Sequence, residues 1–335
     1  MDHISLRGTH YEAGLQWGRT LAKRGYFLLA ELPFPLTRER RDFGSACLPI
    51  YQACFPEILE EIEGLALGQS CPAEELQAVL FSMYALPPAC HCSCFAVSAG
   101  GQTLLGRNSD FWTALEDRNL NVRYEFSGGA YSFTGNTTAF LEMEDGVNSR
   151  ALAAGLTAVA PAAVKPGLNA GMLVRYILEK CENVSQGLKA LETLPIASAQ
   201  TITLADGSGN TAVAECCAGG RRVIRPTGER PFVYAVNRFM TEEMRPLQAA
   251  GVDDWRSGER RGTLERALCL RRGPLDIFAA QALLAGKEGF LCQEDRSAGK
   301  GTVWSVVYDL TGREIYRAEG DPSRVPFCLD DSFSF

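Results

Sequence analysis

Histidine is nearly missing from this chain: His3, His10 and His91 are the only three in 335 residues. His91 sits next to Cys92, and on a strand the two side chains would point to opposite faces, which argues against a papain-like Cys-His-Asn arrangement. Cys90, Cys92 and Cys94 alternate around His91, but no second CxxC or HxxxH pair supplies further ligands, so a structural metal is not expected. Read alone, that window also fits three small buried residues. A basic stripe is missing as well: 33 Lys and Arg stand against 40 Asp and Glu, a net charge of -7, which argues against a nucleic-acid partner. The amino terminus has no basic segment followed by an apolar core, so no signal peptide is read, a cytoplasmic location is expected, and the 12 cysteines are expected to be reduced. The Asn136 and Asn183 sequons are accordingly read as chance.

Between Leu76 and Gly106 there is no Lys, Arg, Asp or Glu. By length this could span a bilayer, but Pro87-Pro88, Gly100-Gly101 and the Ser and Cys residues would leave backbone groups unpaired in lipid. A helix followed by two packed strands fits better, and no membrane association is expected.

What is present centres on Cys90 to Trp112, CHCSCFAVSAGGQTLLGRNSDFW. Two short apolar runs flank a Gly-Gly pair able to take the positive φ values of a tight turn, the pattern of a strand hairpin. Folding it brings Arg107, Asn108 and Asp110 back toward Cys92. A thiol beside a guanidinium and a carboxylate can be activated, whereas one in an apolar core stays inert.

The residues before this hairpin read as mostly helical, with helices from Tyr11 to about Leu29, Pro56 to Leu67 and Pro72 to Tyr84, the last ended by Pro87-Pro88. Gly14 and Gly18 lie one turn apart, suited to close helix packing. After the hairpin come strands at Asn121–Phe126 and Ala130–Phe133 and further apolar runs to Val159. Helices follow at Asn169–Cys181 and Val184–Leu194, then strands at Gln200–Ala205, Thr211–Cys216 and Phe232–Asn237, a helix near Gly262–Leu270 and a last hairpin from Thr302 to Ala318. Strands, two helices and strands again predict an α+β fold of two sheets packed face to face with helices outside.

There is a base that needs no histidine, provided the chain is cut before the cysteine. A cysteine at a chain terminus can use its own α-amino group, whose pKa of about 8 leaves a useful unprotonated fraction near neutrality. Cys92-Ser93 followed after a hairpin by Gly106-Arg107-Asn108-Ser109-Asp110 resembles the amino-terminal-nucleophile (Ntn) hydrolases, in particular the peptidase C45, isopenicillin N acyltransferase-like branch, near the choloylglycine hydrolases. The resemblance runs along nearly the whole chain: Gly8 to Gly14 is similar to an opening GxxYExG and Pro56 to Gly68 to a PExxEE helix. Asp145 to Asn148 with Ala154 to Thr157 is similar to a DGMN...GL segment, Ser198 to Asp206 to an SGQN...LAD strand, and Val236 to Phe239 to a TNHF motif. Ser257 to Arg260 and Gly301 to Val307 match as well.

The resemblance implies a four-layer αββα sandwich in which residues 1–91 form a helical amino-terminal segment and 92–335 the catalytic core. It implies that Cys92 is the nucleophile, Asp110 holds its freed amine, Arg107 favours the thiolate, Asn237 donates to the oxyanion, and Arg260 is an active-site arginine. Arg238 and Thr157 are candidate substrate contacts. Arg238 replaces a histidine, Thr157 stands about where choloylglycine hydrolases carry an oxyanion asparagine, and His91 replaces a glycine before the cut. The implied activity is autoprocessing followed by hydrolysis or acyl transfer at a linear amide, without cofactor or metal, on a small amide or acyl substrate; a homo-oligomer is compatible with it. The other reading is a dormant protein of the same fold that binds acylated small molecules without turnover.

Overall fold

The hairpin forms where its sequence places it. In the computed structural model, which describes residues 1–86, 91–271, 273–293 and 295–335, strands His91–Ala99 and Gln102–Trp112 pair antiparallel, with Cys92 opposite Ser109 and His91 opposite Asp110. Gly100 and Gly101 turn the chain at φ 63° and 81°, values that cost a glycine little. The expected Pro87-Pro88 stop and Cys90 lie outside the described residues.

This hairpin is the centre of a six-stranded sheet, in the spatial order Phe232–Ala235, His91–Ala99, Gln102–Trp112, Lys300–Asp309, Glu314–Ala318 and Cys328–Leu329. The second sheet has eight strands, ordered Asp2–Gly8, Leu120–Phe126, Phe133–Thr137, Asp145–Asn148, Leu152–Val159, Ala199–Asp206, Thr211–Cys217 and Gly220–Ile224. The hairpin packs directly on the Leu152–Val159 and Ala199–Asp206 strands. Both of these are buried along their whole length, as strands covered on two faces must be.

Helices Ala170–Lys180 and Val184–Thr193 cover the outside of the eight-stranded sheet, while Ser257–Cys269 and Ile277–Leu284 pack on the six-stranded one. The order helix, sheet, sheet, helix is the αββα sandwich.

The amino-terminal segment supplies helices His10–Lys23, Arg38–Cys54, Pro56–Gln69 and Ala73–Ser82. It also supplies something the helical reading omits. Asp2–Gly8 is a strand, parallel to Leu120–Phe126 at the edge of the eight-stranded sheet. Thr9 then starts the first helix with a reciprocal cap, its hydroxyl accepting from Glu12 N and its own N–H donating to the Glu12 carboxylate. Helices His10–Lys23 and Pro56–Gln69 touch backbone to backbone: a Cβ on Gly14 would lie 1.9 Å from Glu61 O and one on Gly64 2.1 Å from Tyr11 O.

A buried ionic group joins this segment to the core. Arg175 pairs with Glu61 at 2.5 Å and with Glu179, Glu179 pairs with His10 at 2.8 Å, and the Tyr124 hydroxyl donates to Glu61. His10, Glu61 and Glu179 are close enough together to hold a cation. Arg175 already supplies the positive charge these carboxylates need, and it stacks over Tyr124 at 4.0 Å. No helix among the described residues is long and apolar enough to cross a membrane.

Candidate active site

Cys92 is fully buried, on the face of its strand that looks toward the eight-stranded sheet. Its thiol accepts from Arg107 Nη2 at 2.8 Å. Arg107 is itself fixed on every side: Nε donates to Leu156 O, Nη1 to Asp145 at 2.7 Å and Nη2 to Glu144 at 3.1 Å. Gly155 leaves the space for it, since a Cβ there would lie 3.3 Å from Arg107 Cδ and 2.7 Å from Cys94 Sγ. Two carboxylates balance the guanidinium, so the thiol meets a directed N–H donor more than an uncompensated charge.

Those carboxylates stand at the candidate site, and the sequence reading gave neither of them a role. Glu144 accepts from Ser109, Arg107 and both the N–H and hydroxyl of Thr138. Asp145 accepts from Arg107, Trp304 Nε1, Tyr308 and Asn136. Asp145 opens one of the motifs quoted above. Glu144 carries no motif, and in the sequence it is one of three acidic residues, Glu142, Glu144 and Asp145, close together with nothing to single it out.

The opposite side of Cys92 is its backbone. Its N–H donates to Asn237 Oδ1 at 3.0 Å and its carbonyl accepts from Arg260 Nη1 at 2.6 Å. Asn237 is placed by a three-residue turn, in which Arg238 N donates to Val236 O at 2.7 Å directly after the Phe232–Ala235 strand. Its Nδ2 donates to Ala158 O at 2.8 Å. Arg260, one turn into the Ser257–Cys269 helix and fully buried, also reaches Ser93 Oγ, Asn237 Oδ1, Asp254 O and Trp255 O. It acts as a clamp on the residue that would become the new terminus.

Asp110 lies on the face of the hairpin away from the thiol, level with His91. A register shift between Thr302 and Trp304 aims the Thr302 hydroxyl at Asp110 Oδ1, 2.6 Å away. Oδ2 has no hydrogen-bond partner among the described residues and lies 3.7 Å from Arg260 Nη1. Burial pushes this carboxyl up to about 6, against the lowering pull of Arg260 and Thr302. The same Arg260 Nη1 donates to the Cys92 carbonyl, which links Asp110 to the backbone of the nucleophile candidate.

His91 is stacked on Trp255, ring centroids 4.4 Å apart. Burial, with Arg260 second, lowers its pKa to about 3, so it is neutral near pH 7 and faces away from the thiol. Trp255 and Arg256 both have left-handed backbone, φ 50° and 58°, a strained conformation for residues of this size, and it is this strained turn that sets Trp255 against the residue preceding Cys92.

Of the two candidate substrate contacts, Arg238 is partly exposed but already paired with Asp254 and Ser257. Thr157 is fully buried and bonds Thr201 and Val236 O. The site brings Cys92, Arg107, Asn237, Arg260 and Asp110 together, with Thr157 behind them and Arg238 at the edge. Burial pushes the Cys94 thiol up to about 12, which keeps it protonated and inert.

The family model described as acyl-coenzyme A:6-aminopenicillanic acid acyl-transferase matches residues 97–324. Every candidate site residue except Cys92 falls inside that span. No curated protein sequence matches the chain. Among solved structures, penicillin V acylase from Agrobacterium tumefaciens is similar at 15% identity, over 68% of this chain and 82% of that one, with a TM-score of 0.45. The Caenorhabditis elegans N-acylethanolamine-hydrolyzing acid amidase ortholog is similar at 18% identity over 66% and 93%, TM-score 0.49. A mutant form of conjugated bile acid hydrolase from Clostridium perfringens is similar at 12% over 72% and 92%, TM-score 0.45.

Proposed function

The chain belongs to the acyl-coenzyme A:6-aminopenicillanic acid acyl-transferase family, and from that premise we propose that it is a self-cleaving cysteine enzyme acting on linear amide bonds by hydrolysis or acyl transfer through an S-acyl-Cys92 intermediate. The observation that carries this reading is the set of contacts on Cys92. Its thiol takes an N–H from Arg107, its amide nitrogen is held by Asn237 and its carbonyl by Arg260, so thiol and amide nitrogen are each fixed while the bond between residues 91 and 92 is intact.

In maturation the Cys92 thiolate attacks the His91 carbonyl carbon, the acyl group moves from nitrogen to sulfur, and water hydrolyses the thioester. The products are a carboxylate on His91 and a free amine on Cys92. In turnover that amine takes the thiol proton, the thiolate attacks the substrate carbonyl, and the resulting ammonium returns the proton to the leaving amine. Water or an amine acceptor then resolves the S-acyl enzyme. Asp110 holds the ammonium through its free oxygen. Asn237 turns its amide toward the tetrahedral oxyanion, a donor worth about 3 to 4 kcal/mol in comparable sites; it gives up its bond to Ala158 O in doing so.

Residues 1–91 are in this reading the smaller fragment of the mature enzyme and 92–335 its catalytic core. Iodoacetamide mapping tests the assignment: Cys92 should be labelled first, in step with loss of amide turnover. Labelling of Cys94 with Cys92 spared in inactivated protein would overturn it.

A further inference from the structure

Both residues at the proposed cut are held in place, but by different means. On one edge of their strand, His91 is level with Asp110. On the other edge the strand Phe232–Ala235 pairs only as far as Cys94, so among the described residues the sheet gives His91 and Cys92 no neighbour on that side. Asn237 and Arg260 take over the backbone of Cys92. What meets His91 is the ring of Trp255, stacked on the imidazole at an interplanar angle of 17°. The contact is made by the face of the ring: Nδ1 is buried without a hydrogen-bond partner, and burial keeps the imidazole neutral near pH 7.

Trp255 is fixed in turn. Its carbonyl accepts from Arg260 Nε at 3.1 Å and Gln293 Nε2 at 3.0 Å, and its N–H donates to Asp253 Oδ1 at 3.0 Å. Trp112 meets its ring edge-on, centroids 5.2 Å apart. A left-handed backbone at a residue of this size persists only where the surroundings over-determine it, and these contacts do so. Arg260 also holds the Cys92 carbonyl, so one guanidinium ties the ring before the cut and the carbonyl after it to the same turn.

We infer that Trp255 is a positioning residue for self-cleavage: by stacking on His91 it fixes the plane of the peptide bond between residues 91 and 92, with the His91 carbonyl carbon in reach of the Cys92 thiol. This rests on the reading that the chain cuts itself there. The attack closes a small ring through Sγ, Cβ, Cα and N of Cys92 and the His91 carbonyl carbon, so it tolerates little rotation of that plane. Misplacing a reacting atom by about 1 Å can cost on the order of a hundredfold in rate. The thiol, N–H and carbonyl of Cys92 are already held, which leaves the orientation set from residue 91 as the remaining freedom. Trp255 acts through the His91 ring and takes no part in the chemistry.

The test follows the full-length chain from its synthesis by cell-free translation, sampled over time on denaturing gels. Trp255→Leu and His91→Ala should each slow cleavage by about three- to tenfold, the worth of one ring stack. The double variant should be no slower than either single one, because both changes remove the same contact. His91→Phe keeps a ring and should cut at nearly the wild-type rate, while His91→Gln should be as slow as His91→Ala. If Trp255→Leu does not fold, the His91→Phe and His91→Gln pair decides from the other side of the contact. Additive slowing, a slow His91→Phe beside a fast His91→Gln, or unchanged rates throughout overturn the inference and leave self-cleavage standing. A wild-type chain that never cuts overturns the inference together with the proposed function.

Discussion

Asp110 is the residue whose properties follow most directly from its surroundings. Its carboxyl, near 4 when unfolded, is pushed up to about 6 by burial. A raised folded pKa means that the folded chain prefers the protonated form: this contribution is full below about pH 4 and is lost as pH rises through about 6. Asparagine is neutral at every pH. In the Cys92→Ala background, Asp110→Asn should therefore have little effect on the unfolding midpoint at pH 4 and raise it at pH 8, by at most about 3 kcal/mol. In otherwise wild-type protein the same change should slow both maturation and turnover, because the amide cannot hold an ammonium with its lost charge. A lower midpoint at pH 8, or wild-type rates, would contradict this. Glu144→Gln removes a negative charge from the partner of the guanidinium at the thiol. It should raise the rate of Cys92 alkylation at pH 7 by roughly tenfold, since a nearby like charge disfavours thiolate; a slower rate would mean that Glu144 acts by orienting Arg107 instead. The sequence pointed to Cys92, Arg107, Asp110, Asn237 and Arg260 because each sits in a motif. Glu144 and Trp255 were not legible, because what marks them is burial beside a charge and a left-handed backbone, and neither leaves a trace in spacing.

Elements were legible where period and punctuation agreed. The Cys92 hairpin has apolar runs on both sides of Gly100-Gly101, and the helix Pro56–Gln69 has a proline at its start and Ile58, Ile62 and Leu65 at three- and four-residue spacing on its buried face. The strand Asp2–Gly8 was missed because only Ile4 and Leu6 of its seven residues are buried, too few to register as alternation. Its parallel partner lies more than a hundred residues away. Helix Arg38–Cys54 was missed for another reason: Pro49 lies inside it and only Arg40, Gly44, Cys47 and Tyr51 are buried, so the apolar stripe is faint. The strand expected at Ala130–Phe133 begins instead at Phe133. The suggestion that Gly14 allows close packing can be tested directly. In Gly14→Ala the new methyl would meet Glu61 O, a backbone atom that cannot rotate away. A loss of about 1 to 3 kcal/mol in urea unfolding is expected for such overpacking, and more if the Glu61–Arg175 pair is displaced with it. An unchanged midpoint would mean that the two helices can separate freely.

At the scale of the whole molecule the two-sheet sandwich was legible from the order of strands and helices, but the interdependence of its parts was not. The proposed cut between residues 91 and 92 would break the chain without dividing the fold. The strand Asp2–Gly8 stays in the core's sheet, and the buried Glu61–Arg175 and His10–Glu179 pairs cross from one fragment to the other. Breaking such a pair by removing one partner would leave a buried charge uncompensated. The cut protein should therefore elute from a native column as one species and separate only under denaturing conditions. The most direct test of the account is the intact mass and amino-terminal sequence of fully active protein, measured after denaturation. The predicted result is two fragments of 91 and 244 residues, the larger beginning at Cys92, with Cys92→Ala giving one chain of 36.5 kDa. Full activity from a single unbroken chain beginning at Met1 would contradict it, because the α-amine of Cys92 could then not be the base.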